Sequence, residues 1–450
     1  MHKSGSYSDP SNYRLIALLS NFSKIYERVI YCRMFSFIHK HNILSPNQFG
    51  FRPHQSTEMA LISLFDTITT ARDQNKFTCS VILDFQKAFD TIDIQILLCK
   101  LQHYGFRGLT LNYLSSYLSN RSQYVSLQCS RSTLAASTHG VPQGSILGPL
   151  LFLLYINDIL NVMPDSQSIL FADDNTATFS ASSPFALQAL VNNNLKLLSE
   201  WILANKLTLN ISKSHIICFT NAKIKWSSPL KFLYNGSELT QVTSTTILGV
   251  SFDQNISFLP HIISLRKKLA SAVYIYSNIR DIIPKYIARS LYFSLFHCHL
   301  NYCLLLWGSS CPTHLSPLNV LHHKILKSFL LLPKRTPSKE VFIKANISPI
   351  SHHFTLSLCK IIYIFLHSPD SLSLSFSSLF IPTSRIHKHA TRASANQDLF
   401  IISSNSEARS NSIAVLGPTA WNSIPGHLKT IPSLSVFLTQ LKKYLTTKLN

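Results

Sequence analysis

The chain is short of acidic residues. Only 20 of its 450 residues are Asp or Glu, against 41 Lys and Arg, so the formal net charge is +21. An excess of this size indicates a polyanionic partner such as nucleic acid, although an acidic membrane face or a merely basic surface would also account for it. Because acids are scarce, each carboxylate in an apolar setting carries more information than usual.

The sequence also lacks long hydrophobic runs. Apolar stretches such as Leu291 to Trp307 and Cys359 to Leu366 are interrupted or too short for a membrane span. The N-terminus, Met1 to Ser6, has no apolar core of a signal peptide. Nine cysteines, an odd number, are scattered and mostly set in apolar runs, which is typical of reduced thiols. We therefore expect an intracellular protein of the nucleus or cytoplasm, with 46% hydrophobic residues as ample core and no membrane segment.

Two apolar segments each end in carboxylates. Val81 to Leu83 runs into Asp84, and Ile169 to Phe171 runs through Ala172 into Asp173 and Asp174. Polar and apolar residues then alternate over 176–180, which predicts a β-hairpin with Asp-Asp at its tip. Taken alone, Asp-Asp-Asn is also ordinary turn chemistry. Two strands that each deliver an acid raise a metal site as a hypothesis beside the ordinary turn.

The order of the periodic segments predicts the fold class. From residue 78 to 252 the order is strand, helices, strand, helix, hairpin, helix and strands, with a last strand pair over 239–242 and 245–252. This order predicts an α+β layer with helices on one face of a largely antiparallel sheet. Helical patterns dominate from residue 262 on, one of them covering about 286–306. The Ser- and Leu-rich stretch 368–384 has no clear periodicity and is interpreted as a linker or weakly ordered segment.

A group of His and Cys residues between 297 and 314 is a rival metal site. Zinc sites favour paired short spacings on a knuckle turn, whereas the first four candidates lie inside an apolar helical pattern. Core packing is therefore the favoured interpretation of the group. Its members are His297, Cys298, His299, Cys303, Cys311 and His314.

Several short motifs occur in a fixed order along the chain. They are Leu83 to Asp90, Gly140 to Ser145, Phe171 to Asp174, Leu209-Asn210 with Lys213, and Leu248-Gly249-Val250. This series resembles the reverse transcriptases of non-LTR (LINE-type) retrotransposons, especially the branch with jockey-like and CR1-like elements. Further pieces extend the resemblance to about residue 330: Asn12 to Arg14, Gln48 to Arg52, and Leu300 to Cys303 with Trp307-Gly308.

The resemblance implies a right-hand polymerase of the α+β class. Fingers would occupy 1–76, a palm with an antiparallel sheet 77–255, a helical thumb 256–330, and a family-specific C-terminal region 331–450. It also implies that the upstream endonuclease and the earliest fingers segment of a full element are missing, so that the fingers are N-terminally truncated. The chain departs from the family pattern at Leu15 and Asn175, and neither departure removes a metal ligand.

The resemblance further implies an RNA-directed DNA polymerase, which adds deoxynucleoside triphosphates to a DNA primer on an RNA template. Two Mg²⁺ ions, with Mn²⁺ as a possible substitute, stabilise the attacking and leaving oxygens in such reactions, and they require hard oxygen ligands. Asp84 and Asp173 would bridge the ions, with Asp174 beside them and the backbone carbonyl of Phe85 as a further ligand.

Nucleotide-binding roles follow from the same resemblance. Gln143 and Gly144 would form the loop beneath the incoming base and the template. Lys213 would lie near the leaving pyrophosphate, and Arg52, with Arg14 as a second candidate, would clamp the triphosphate. For each Lys or Arg the alternative is a solvated basic face.

Phe89 would close the sugar pocket, with its ring where a ribose 2′-hydroxyl must go. The alternative is that Phe89 is a core residue that anchors the turn after the strand. For the whole chain, the alternative hypothesis is a decayed or domesticated scaffold that binds RNA without synthesis. Both hypotheses predict nucleic-acid binding that weakens steeply with salt, but only the enzyme needs metal-dependent turnover. Protein partners are unknown from the sequence.

Overall fold

The structure is a computed structural model, and it describes residues 2, 6–9, 12–13, 16–127, 130–220, 230–333, 335–369, 372, 374–386 and 396–448. Arg14 and Leu15, which the sequence analysis singled out, lie outside the described residues.

The first half of the chain mixes helices and strands, and the second half is almost entirely helical. The helices are α1 (Asn21–Lys40), α2 (Thr57–Asp73), α3 (Ile94–His103), α4 (Leu109–Leu118), α5 (Leu147–Ile156), α6 (Ile159–Val162), α7 (Pro184–Ala204), α8 (Leu259–Ile279), α9 (Lys285–Tyr292), α10 (Cys298–Asn301), α11 (Leu304–Trp307), α12 (Pro312–Phe329), α13 (Ser338–Ala345), α14 (Ile350–His367), α15 (Leu374–Ser377), α16 (Glu407–Ser410), α17 (Ile413–Asn422), α18 (Gly426–Lys429) and α19 (Leu434–Thr447).

The strands are short. They are β1 (Phe77–Leu83), β2 (Arg121–Gln123), β3 (Ser126–Leu127), β4 (Ser130–Arg131), β5 (Ala135–Ser137), β6 (Gln167–Phe171), β7 (Asp174–Ala181), β8 (His215–Phe219), β9 (Leu233–Tyr234), β10 (Ser237–Glu238), β11 (Thr240–Val242), β12 (Ser244–Ile247) and β13 (Val250–Asp253). A π-helical turn, Phe293–His297, joins α9 to α10, and a 3₁₀ turn covers Thr383–Arg385.

Polar caps start three of the helices that surround the main sheet. The hydroxyl of Ser56 accepts a hydrogen bond from the backbone of Met59 at the start of α2. Asp93 caps α3, and Ser183 caps α7 with Pro184 in the first turn. Such side chains satisfy backbone N–H groups that have no partner within the helix. The predicted start of α7 is confirmed.

One five-stranded sheet carries the site. Its strand order is β11-β8-β1-β7-β6, and all neighbours are antiparallel except the parallel pair β11 and β8. The largely antiparallel sheet predicted from the sequence is therefore confirmed. Strand β1 lies at the centre, between β8 and the hairpin β6–β7. The carboxyl end of β1 and the tip of that hairpin consequently lie at the same end of the sheet.

Helices cover both faces of this sheet. Val81 and Leu83 point into a core shared with α3, α5 and α7. Ile169 and Ile217 belong to the second core, which contains the buried face of α2 and the helices of the second half. The prediction that helices pack on one face only was wrong, because α2 precedes the first strand but returns to the opposite side of the sheet.

Two other local predictions were also wrong, and a third was wrong in one of its two alternatives. Residues 245–252 are not one strand but the hairpin β12–β13, which turns at Leu248 and Gly249, both with positive φ. The predicted helix over 286–306 is broken at Tyr302 and Cys303. Within 368–384, Phe376 and Phe380 are buried in the second core, so this stretch contributes to packing and is not a linker where it is described.

The C-terminal region packs directly against α2. Arg409 forms an ion pair with Asp66 in the middle of that helix. Asp73, at the end of α2, accepts hydrogen bonds from the backbone N–H groups of Asn405 (2.7 Å) and Ser406 (2.8 Å), just before α16. Residues 396–448 are therefore joined to the first half of the chain by charged and polar contacts as well as by the shared core.

Among the described helices, none is by itself both long and apolar enough to cross a membrane. The pair α13 and α14, bent by 49°, meets the length and composition test jointly. Leu358, Cys359 and Ile362 of α14 are buried within the protein.

Asn175 generates a prediction about stability. Its side chain is buried in strand β7, and neither amide atom has a hydrogen-bond partner among the residues that the structure describes. An unpaired buried amide costs about 1–3 kcal/mol. We expect Asn175→Thr, which suits a strand, to raise the free energy of unfolding by about that amount, as measured by urea denaturation.

The matched control is Asn157→Thr. The Asn157 amide donates to the carbonyl of Ile43 and accepts from the N–H of Ser45, so this change should lower stability. A loss of stability in Asn175→Thr would contradict the interpretation, since it would mean that the amide of Asn175 is engaged in the folded protein.

Candidate active site

Asp84, Asp173 and Asp174 lie at one end of the sheet. Leu83, the last residue of β1, pairs with Asn175, so Asp84 follows at the level of Asp174. Ala172 and Asp173 form the two-residue turn between β6 and β7. Asp84 and Asp173 are half-buried, and Asp174 is exposed. The backbone therefore brings the three predicted acids together.

Segment 208–214 fixes the backbone of Asp84. The Asp84 N–H donates to the hydroxyl of Ser214 at 3.1 Å, and its carbonyl accepts from Asn210 N–H at 2.8 Å. Phe85 continues this pairing as an antiparallel bridge to Leu209. Lys213, exposed and next to Ser214, is thereby brought to the acidic end of the sheet.

Segment 47–50 fixes the Asp-bearing turn from the other side. The N–H of Phe49 donates to the carbonyl of Leu170 at 2.8 Å, and the N–H of Leu170 donates back to the carbonyl of Asn47 at 2.9 Å. The side-chain Oε1 of Gln48 accepts from the N–H groups of Gly50 (2.8 Å) and Ala172 (3.2 Å). The segment thus extends the sheet beyond β6.

Gly50 leaves no room for a side chain at this contact. A Cβ on residue 50 would lie 2.3 Å from the backbone nitrogen of Ala172. Ala172 itself has φ 58°, a left-handed conformation that non-glycine residues seldom adopt. The sequence analysis noted the motif around Gly50 but assigned only Arg52. A glycine between two aromatic residues was the signal for a close backbone approach.

Arg52 makes structural contacts in this conformation. Its Nη1 donates to the carbonyls of Ser45 (2.6 Å) and Gln48 (3.2 Å). Burial lowers the pKa of the guanidinium from its ordinary value. The side chain stabilises the loop that leads into segment 47–50, and its predicted contact with a triphosphate stays a prediction.

The predicted loop of Gln143 and Gly144 packs against the segment that follows Asp84 in the chain. The side chain of Gln143 donates to Asp90 at 2.7 Å, and its carbonyl accepts from Ala17 N–H at 2.7 Å. Gly144 has φ 111°, and a Cβ there would lie 3.0 Å from the carbonyl oxygen of Ala17. Asp90, which orients Gln143, was missed as a site residue although it lies inside the first motif.

Phe89 lies between two aromatic rings. Its ring stacks on Phe152 of α5, with centroids 4.2 Å apart, and meets the exposed Phe51 edge-on at 6.4 Å. The side chain is half-buried. Phe89 therefore packs on the core through one side and borders the space beside segment 47–50, a position compatible with both sequence interpretations.

Glu27 is a second residue that the sequence analysis missed. This carboxylate is buried on α1, and its Oε2 accepts from the N–H groups of Ile146 (2.7 Å) and Leu147 (3.2 Å) at the start of α5. A negative charge is favourable at a helix N-terminus, where unpaired N–H groups carry partial positive charge. Glu27 links the first long helix to the central helix beneath the site.

Two groups of side chains are candidates for metal binding. Across the described parts of the chain, no three His, Cys, Asp or Glu side chains are arranged to hold a metal ion. In the group between 297 and 314, Cys303 is buried, but Cys298 and Cys311 are exposed, so core packing accounts for only part of that group. The three acids at the end of the sheet supply hard oxygen donors, which fit Mg²⁺ in kind, although their side chains do not converge in this conformation.

Comparison with known proteins gives consistent similarities. The family described as "Reverse transcriptase (RNA-dependent DNA polymerase)" matches residues 1–252. The "Probable RNA-directed DNA polymerase from transposon X-element" of Drosophila melanogaster is 29% identical over 338 residues, covering 73% of this chain and 36% of that protein. The corresponding polymerase from transposon BS of the same organism is 28% identical over 349 residues, covering 74% and 38%.

A third relative is the "RNA-directed DNA polymerase from mobile element jockey" of Drosophila melanogaster. It is 26% identical over 339 residues, with 73% of this chain and 36% of the relative covered. The chain thus spans little more than a third of the length of these curated relatives.

Proposed function

Because this chain belongs to the reverse transcriptase (RNA-dependent DNA polymerase) family, in its LINE-type retrotransposon branch, we propose that it extends a DNA primer with deoxynucleoside triphosphates on an RNA template. The observation that carries the proposal is the position of Asp84, Asp173 and Asp174. The backbones of three acids, in a chain that has few, lie at one end of the sheet. Segment 208–214 bonds to Asp84, and segment 47–50 bonds to Ala172 beside Asp173.

The acids would hold the divalent metal ions of the reaction. Asp84, Asp173 and Asp174, with the backbone carbonyl of Phe85, would bind two Mg²⁺ ions, for which Mn²⁺ could substitute. Bound there, the ions would stabilise the attacking primer oxygen and the leaving phosphate oxygen. The contribution of the chain itself is to hold the carboxylates on fixed backbone, so that little ordering remains when substrate arrives.

Other residues would position the nucleotide. Gln143, held by Asp90, and Gly144 would lie beneath the base and template, because a glycine lets the backbone approach a ligand closely. Lys213 would neutralise the leaving pyrophosphate. Arg52 would have to exchange its hydrogen bonds to backbone carbonyls for phosphate oxygens on binding, and Arg14 stays a second candidate for that contact.

The charge of the chain supports a nucleic-acid partner. A formal charge of +21 favours binding to phosphate backbones. The free cysteines of the described chain suit a reducing compartment, and we infer that the protein acts in the nucleus or cytoplasm. The affinity for RNA should fall steeply between low and high salt.

Primer extension on an RNA template tests the proposal. We expect the purified chain to extend the primer only when Mg²⁺ or Mn²⁺ is present, and Asp173→Asn to reduce extension at least roughly a thousandfold, because a ligand of the ions is lost. RNA affinity should stay within about twofold, since Lys and Arg, not the metals, provide it.

The control is Asp281→Asn, which removes an exposed acid from the end of α8 and should leave extension unchanged. Substantial synthesis by Asp173→Asn would refute the assignment of the acids. RNA binding by the unaltered chain without any synthesis would instead favour the scaffold hypothesis.

Phe89 generates a prediction about sugar selection. A steric block rejects by clash, so discrimination should depend on side-chain volume. We expect Phe89→Val to admit ribonucleotides while deoxynucleotide incorporation stays within roughly tenfold of the original rate, or about 1.4 kcal/mol. Single-nucleotide incorporation assays measure both.

Phe152→Leu serves as the control, because it removes the stacking partner of Phe89 but keeps the ring of Phe89 itself. If Phe89→Val folds and still excludes ribonucleotides, the ring does not select the sugar. If the variant unfolds, Phe89 is a core residue.

A further inference from the structure

Helix α14 contacts the segment 298–308 at two adjacent positions. The Nε2 of His353 lies 2.7 Å from the amide oxygen of Asn301, and because that oxygen can only accept, the imidazole donates. The next residue, Phe354, packs on Gly308 so closely that a Cβ there would lie 2.5 Å from its ring. Both partners belong to the motif pieces that the sequence analysis identified near residue 300.

Between these contacts the chain leaves the helical path. Helix α10 ends at Asn301, and α11 begins at Leu304. Cys303 is left-handed, with φ 51°. The indole N–H of the buried Trp307 donates to the carbonyl of Tyr302 at 3.0 Å. The break directs Tyr302 away from its own helices.

Tyr302 reaches the hairpin β12–β13. Its hydroxyl donates to the carbonyl of Leu248 at 2.6 Å and lies 3.3 Å from the hydroxyl of Thr57 at the start of α2. Its ring would lie 3.3 Å from a Cβ on Gly249. Leu248 and Gly249 form the tip of the hairpin, so a continuous series of contacts runs from His353 to this tip.

The hairpin joins the catalytic sheet to the basic helix α8. Strand β12 follows β11 of the sheet directly, and α8 begins six residues after β13. Arg266, Lys267 and Lys268 of α8 are exposed. Such a helix would contact phosphates of a bound duplex, so the hairpin that joins it to the sheet would set where that duplex lies relative to the acids.

We propose that His353 is a positioning residue: through Asn301 and Tyr302 it fixes the hairpin β12–β13, so that the C-terminal region determines how long a primer–template duplex stays in place during synthesis. This inference rests on the proposed polymerase function. It gives α14 a role in synthesis beyond its packing in the core.

The imidazole is suited to this role near neutral pH. Burial, with smaller contributions from His297, Lys442 and Lys360, lowers the pKa of His353 to about 4. The ring is therefore neutral at pH 7, and its Nε2–H is the donor to Asn301.

The test compares His353→Ala, His353→Gln and Tyr302→Phe in primer extension with an excess of unlabelled trap, so that each enzyme binds once. We expect His353→Ala and Tyr302→Phe each to shorten the products about three- to tenfold, the effect of one lost hydrogen bond. His353→Gln retains an N–H donor and should restore most of the length. The rate of the first nucleotide addition should change less than twofold, since the acids are untouched.

Two comparisons make the outcome specific. The double variant His353→Ala, Tyr302→Phe should give products no shorter than those of the more impaired single variant, because both substitutions act through one series of contacts. His352→Ala, at the neighbouring position of α14, is the control and should give products of full length.

Products of unchanged length in Tyr302→Phe would overturn the inference, even if His353→Ala failed to fold. Strictly additive losses in the double variant would also overturn it. An unaltered chain that extends no primer at all would instead refute the proposed function, so the two failures are distinguishable.

Discussion

The close backbone contact between Gly50 and the turn at Ala172 is the constraint on which the site depends. The turn carries Asp173, and Ala172 adopts a left-handed conformation that costs roughly 1–2 kcal/mol without help from neighbours. Gln48 offsets part of this cost by accepting the N–H of Ala172. Since the contact tolerates no Cβ on residue 50, the position of Asp173 is set by a segment more than 120 residues earlier in the chain.

Backbone pairing performs the same task for the other carboxylate. The N–H of Asp84 donates to Ser214, and the carbonyl of Asp84 accepts from Asn210. Glu27 caps α5, the helix beneath the site. Apart from Glu27, Asp90 and Arg52, the contacts described around the site are made by backbone and neutral polar groups. Under the proposed function, the three acids would then be available to bind metal ions, and exposed Lys and Arg residues to contact nucleic acid.

Sequence patterns predicted the local secondary structure and the residues of the short motifs. Apolar runs ending in acids identified β1 and the β6–β7 hairpin, and Ser183-Pro184 identified the start of α7. Contacts between residues far apart in the chain left no such pattern in the sequence. Nothing in the periodicity indicates that Arg52 donates to backbone carbonyls, that α2 crosses to the opposite face of the sheet, or that His353 meets Asn301. The sequence predicts one strand over residues 245–252 because Leu248-Gly249, the turn of the hairpin, continues an apolar run.

Gly50→Ala tests most directly whether the 47–50 segment holds the turn that carries Asp173. Gly50 does not have a positive φ, so alanine adopts its backbone conformation and only the contact with Ala172 changes. We expect primer extension to fall at least roughly tenfold, about 1.4 kcal/mol, while RNA affinity is retained. Gly236→Asn, at an exposed hairpin turn where an added Cβ meets no atom of the described residues within 4 Å, should have no effect. Full activity of Gly50→Ala would show that the 47–50 segment does not hold the turn at Asp173.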